Sequence, residues 1–155
     1  MKTDVLNKNS NEYGGGHKGI VTLADAATAT LTAKQSGKLI VVPNLTSSCT
    51  ISLPAEAIGL EYDIVYGGAA ADAENFILDS GADANYFVGS VLHADLNAGS
   101  AGDEIAAVFS DGNSNSKLTV TTPSAGTSVK IVCDGQKWYV TGLVISDTAP
   151  AFADQ

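Results

Sequence analysis

From Ile20 onward the chain is interrupted so often that helices of ordinary length have no room. Gln35-Ser-Gly37, Pro43-Asn44, Pro54, Gly67-Gly68, Gly81, Asn97 to Gly102, Asp111-Gly112-Asn113, Pro123 to Gly126 and Asp134-Gly135 all break it. Gly supplies positive φ, Pro a fixed φ, and Asn or Asp a side chain that caps its own turn. The spacing predicts strands near 20–23, 28–33, 38–42, 48–53, 61–66, 75–79, 86–92, 104–109, 117–121, 128–133 and 137–145. Within them, Thr50 and Ser52 alternate with Ile51 and Leu53, the period-two pattern of a half-buried strand. Only the Ala-rich stretches near 24–30, 55–58 and 69–74 leave space for helix, one or two turns each. Many short strands without a strand–helix–strand rhythm predict an all-β domain, a β-sandwich or a jelly roll, over residues 20–146. No internal repeat of fixed period stands out. Residues 1–19 read as an extended N-terminal arm and 147–155 as a C-terminal tail.

The 155 residues suffice for one shared core. Only 16% are charged, against about 25% in an average soluble domain, while 45% are hydrophobic. Ala, Gly, Ser, Thr and Asn make up the difference. Such an uncharged polar surface suits packing against neighbours. Apolar runs such as Leu39 to Val42 are far too short to span a bilayer, and residues 1–12 lack the apolar stretch of a secretory leader. Eight Lys, no Arg and 17 acidic residues give a net charge of −9. Nucleic-acid binding needs a cationic footprint, and anionic membranes repel an acidic chain, so neither is expected as a partner.

No motif assembles convincing chemistry. Gly14-Gly-Gly16-His-Lys-Gly19 has dinucleotide-loop spacing, but that loop works only between a strand and a helix N-terminus, and here a polar arm precedes it. A flexible hinge is the simpler reading. Ile77-Leu78-Asp79-Ser80-Gly81-Ala82-Asp83 resembles the active-site segment of retroviral-type aspartic proteases, in which paired Asp residues share a proton. The supporting second element has only weak candidates, and Asp-Ser-Gly after a strand is ordinary turn chemistry. His17 and His93, with Cys49 and Cys133, are too scattered for a zinc site. Each Cys sits in an apolar alternation and reads as a buried thiol, a disulfide being the alternative. Asp111-Gly-Asn113-Ser-Asn115-Ser116 starts like a calcium loop, but Thr122 stands where a bidentate Glu belongs, which excludes an EF-hand. A solvated loop or an irregular site using Asp103, Glu104 or Asp111 remains. Trp138, the only Trp, follows the Asp134-Gly135 turn in an apolar strand, and reads as a core anchor or, alternatively, a stacking platform for a ligand. The chain is not expected to be an enzyme, and no cofactor is implied.

Leu31-Thr32, Ser36-Gly37-Lys38 with the strand to Val42, Thr50-Ile-Ser-Leu53-Pro54 with Gly59-Leu-Glu-Tyr62, and Cys133-Asp-Gly-Gln-Lys-Trp138-Tyr-Val-Thr-Gly142 together resemble segments of tailed-bacteriophage structural proteins. The resemblance covers most of residues 20–145. It fits head decoration (cement) proteins, and also tail-fibre or receptor- and glycan-binding modules. The chain's length and its polar arm favour decoration. The resemblance implies a virion protein, made in the host cytoplasm, that stabilises a capsid by bridging major capsid subunits. It also implies a homo-oligomer, a trimer at local threefold positions. Met1, Val5, Leu6 and Tyr13 are then the apolar anchors of the arm, and Lys2, Lys8, His17 and Lys18 its polar contacts, with Gly14 to Gly16 as hinge.

Overall fold

A computed structural model describes residues 18–68, 71–96 and 105–155. Twelve strands account for its regular structure: β1 (Ile20–Thr22), β2 (Thr28–Thr30), β3 (Leu39–Val42), β4 (Cys49–Ser52), β5 (Glu61–Tyr66), β6 (Phe76–Asp79), β7 (Phe87–Asp95), β8 (Ile105–Phe109), β9 (Lys117–Val120), β10 (Ser128–Cys133), β11 (Trp138–Ser146) and β12 (Ala151–Ala153). The first eleven match the predicted strands. The twelfth falls in the predicted tail, where Ala151-Phe-Ala153 pairs with β9. Helix among the described residues is confined to two 3₁₀ turns, Ala33–Gln35 and Asp83–Asn85. Neither coincides with an Ala-rich stretch: Thr28–Thr30 is strand, and Ala55 to Ile58 is irregular.

The strands form two facing sheets, a sandwich. The larger has the order β1-β3-β5-β10-β11-β7-β8 and the smaller β12-β9-β6-β4-β2. From β1 to β6 the chain crosses between sheets at every step, so β1, β3 and β5 lie parallel in one and β2, β4 and β6 parallel in the other. Parallel neighbours need a crossover connection, and here the strand of the opposite sheet serves as that crossover. The windings are unequal: Leu39 lies 19 residues after its partner Ile20, and Asp63 lies 24 after its partner Leu39. A spiral without fixed period leaves no repeat in the sequence. β9 and β10 then close the growing edges by antiparallel pairing with β6 and β5. Half of the ten strand pairings are parallel, so of the two predicted architectures the sandwich is observed, and the antiparallel jelly roll is not.

Alternation drives the packing. In β5, Tyr62, Ile64 and Tyr66 are buried while Glu61, Asp63 and Val65 point outward. Trp138 is wholly buried, with its ring 6.2 Å from that of Tyr62. Phe76, Phe87, Ile40, Ile51, Leu78, Leu118 and Ile131 complete the core, each contributing about 1.5–3 kcal/mol by burial. Gly89 is the one residue of β7 that cannot carry a side chain. Its φ is +135°, and a Cβ there would collide with the carbonyl oxygen of Val140 on β11.

Candidate interaction surface

The predicted capsid contacts Met1, Val5, Leu6, Lys8, Tyr13 and His17 lie outside the described residues, as do Lys2, Asp103 and Glu104. Lys18 is described: it is exposed and forms an ion pair with Asp63 on the outer face of β5. Of the glycine-rich motif, Gly19 is likewise described, and its carbonyl accepts the Leu39 N–H at 2.8 Å, which starts the β1–β3 ladder.

The motifs with possible chemistry are occupied by structural bonds. Asp79 Oδ1 accepts the Gly81 N–H at 2.8 Å and the Gln155 side-chain N–H at 2.6 Å. Ser80 is buried and donates to the Ser116 carbonyl. The segment is a turn pinned to the chain's far end. Asp83 takes the Ser116 hydroxyl at 2.6 Å and the Gln155 N–H at 2.8 Å, which together hold its carboxyl below the usual range. Asp111 accepts three successive N–H groups, from Asn113, Ser114 and Asn115, and the Ser114 hydroxyl as well. These donors hold its carboxyl well below the usual carboxylate range. A carboxylate used this way is an Asx turn, with its lone pairs already committed. His93 is buried on β7, where Nε2 donates to the Ser146 carbonyl at 3.1 Å. Cys49 and Cys133 are buried and unpaired, and burial, with the nearby Asp25 charge, pushes the Cys49 thiol up. Among the described residues no three His, Cys, Asp or Glu side chains stand together as metal ligands.

A shallow depression of about 400 Å³ lies between Glu56-Ala-Ile58 and the Asp134-Gly-Gln136 turn. One of its two carboxylates is already committed. Asp134 accepts the N–H groups of Gln136 and Lys137 and the Tyr139 hydroxyl, which lower its pKa.

The surface that stands out is the outer face of the larger sheet. Register divides it into transverse rows. One runs Thr22–Val41–Val65–Ser128–Leu143–Leu92–Ala107, and the next Ile20–Leu39–Asp63–Lys130–Thr141–Ser90–Phe109. A shorter third row is Ile145–Ala94–Ile105. On the β11-β7-β8 side these rows contain no charge. Ile105 and Phe109 are 70% and 69% exposed and Leu92 is 47% exposed. Large apolar groups left in water as a contiguous patch mark a contact surface more often than chance.

Sequence reasoning found the strand but missed its exposure. Ile105-Ala-Ala-Val-Phe109 is apolar at both parities, which ordinarily means burial on both faces. The sheet order instead puts this run at an edge, and edge position is not written in the strand itself. No model of a known protein family matches the chain, and no curated protein does.

Proposed function

We propose that this chain is a structural virion protein that decorates and stabilises a tailed-bacteriophage capsid, docking as a symmetric homo-oligomer and bridging major capsid subunits on the outer shell. One observation carries the reading: a chain of net charge −9 leaves on its larger sheet a mostly apolar half-face that is uncharged among the described residues, with Ile105, Phe109 and Leu92 in water. Such a face costs solubility unless a partner covers it. The resemblance of residues 20–145 to phage structural proteins supplies the kind of partner, a protein shell offering many equivalent sites. Shells under internal pressure fail where subunits meet, and a bridging protein adds buried area at each junction, its weak contacts combining by multivalency. Glycan recognition in a tail module would call on aromatic platforms; the only Trp is wholly buried in the core, and Phe109 and Tyr139 are the large aromatics exposed among the described residues.

The test is co-sedimentation of the full chain with capsids that lack it, followed by thermal rupture of the loaded shells. Saturable binding and a higher rupture temperature are expected. Deleting residues 1–16 should weaken binding by more than about tenfold while the body keeps its melting temperature, a factor equal to about 1.4 kcal/mol. A full chain that neither binds nor protects such capsids would overturn the proposal.

A further inference from the structure

Among the described residues the two sheets end in four edge strands, β1, β8, β12 and β2, and three of them are guarded. β1, β2 and β12 are three residues long each, and the β1 end carries the Lys18–Asp63 ion pair. Short strands and charges are the ordinary means by which proteins stop edges from pairing. β8 has neither. It runs for five residues, Ile-Ala-Ala-Val-Phe, without a charge or a Pro, and Ile105, Ala106, Ala107 and Phe109 are all exposed.

We propose that β8 pairs antiparallel with β8 of a second copy about a twofold axis at Ala107. The strand is complementary to itself in that register. Ile105 stands opposite the second copy's Phe109 on the outer face, Ala106 opposite Val108 on the inner one, and Ala107 opposite itself. A β-branched residue across from an aromatic is a favourable cross-strand pair, and two small residues at the dyad let the backbones close. The five paired residues themselves carry no charge, which matters for two copies of a chain at −9. The pairing joins two edges and leaves Leu92, on the next strand in, outside the contact, so it buries less than the roughly 1,000 Å² at which a specific interface begins. The contact is therefore weak and concentration-dependent, and the ladder hydrogen bonds of the merged sheet add to it.

A twofold axis normal to the sheet keeps the outer faces of both copies on the same side. The pair thus presents Leu92 and Ala94 twice, in one continuous surface. The contact belongs to the free chain and stands whether or not the covering partner is a capsid. A threefold assembly containing it would be a ring of such pairs.

Sedimentation velocity of the full chain over a concentration series, with three variants, tests this. The wild type should pass from monomer to dimer. Ala107→Lys, which opposes two like charges at the dyad, should stay monomeric with an unchanged circular dichroism spectrum. Ile58→Lys, at an exposed site far from β8 in the sheet order, should dimerise like the wild type. Ala107→Cys should form a disulfide-linked dimer on mild oxidation, because only a twofold contact sets residue 107 against its own copy. A wild type that remains monomeric to about 1 mM, where the association energy falls to about 4 kcal/mol, would overturn the inference. So would dimers that Ala107→Lys leaves intact, or an Ala107→Cys chain that fails to cross-link where the wild type is dimeric. If Ala107→Lys does not fold, the Ala107→Cys result decides.

Discussion

The two halves of the larger sheet's outer face are built alike on the inside and differently on the outside. On the β1-β3-β5-β10 half, Lys18 pairs with Asp63, Asp63 stands beside Lys130 in the register, and Lys130 reaches Glu61 at 3.5 Å. On the β11-β7-β8 half the same rows continue as Thr141, Ser90 and Phe109 and as Leu143, Leu92 and Ala107, and the short third row adds Ile145, Ala94 and Ile105. Their inward faces are equally buried, through Ile40, Ile64 and Ile131 on one side and Trp138, Val140, Phe87 and Val91 on the other. Core formation therefore does not account for the difference. The first half carries these charges beside Ile20, itself 66% exposed; the second carries none among the described residues, and we propose that it serves contact. Exposed ion pairs add at most about 1 kcal/mol each, so the charges on the first half serve to keep it solvated more than to hold it together.

The comparison breaks most severely if the shared core is cut. Trp138 belongs to β11, at the seam between the halves, and packs against Tyr62 of β5. Trp138→Ala should lose about 3–5 kcal/mol in denaturant unfolding. Among the described residues the Trp138 indole N–H has no hydrogen-bond partner, so the loss comes from packing rather than from a broken hydrogen bond. A variant that keeps its stability would mean the two halves do not share one core.

A smaller effect lies at the rim. The Tyr66 hydroxyl donates to Asp72 at 3.1 Å and lies 2.8 Å from Asn44 Oδ1, and burial with the Asp72 bond pushes its pKa up to about 12. The folded pKa exceeds the unfolded value near 10, so the folded state binds the proton more tightly. The associated stability is fully present below about pH 10 and is lost as pH rises toward 12. Tyr66→Phe should flatten this alkaline decline in a series of melts from pH 8 to 12, at the cost of leaving Asp72 one donor short. An unchanged alkaline slope would assign the decline to another group.

Much of the body was legible from local chemistry. Asp134-Gly135 turns where expected, with Gly135 at φ +100°, and the apolar residues of Thr50 to Leu53 and of Glu61 to Tyr66 point inward as alternation predicts. Trp138 anchors the core, and Asp79 holds a turn. What was not legible is long-range. Nothing in Thr28-Ala-Thr30 says that it will lie parallel to Cys49–Ser52 on the opposite sheet from its sequence neighbours. Ala151-Phe-Ala153 follows a Pro and offers only one large side chain, and it becomes a strand because β9 presents a free edge and Phe152 finds Phe87 at 6.3 Å. The candidate site was missed for the same reason. An apolar run reads as core until the sheet order makes it an edge.

The smallest expected change in stability accompanies the largest expected change in binding. Thr22 and Leu92 are exposed members of a single row, one on each half of the face. Thr22→Lys and Leu92→Lys should each alter folding stability by no more than about 0.5 kcal/mol, as surface substitutions usually do. The most direct test of the account is to co-sediment both variants with capsids lacking the protein. Thr22→Lys should bind like the wild type, and Leu92→Lys should lose binding by more than about tenfold. Equal binding by the two variants, or a loss confined to Thr22→Lys, would contradict the claim that the uncharged half is the docking surface.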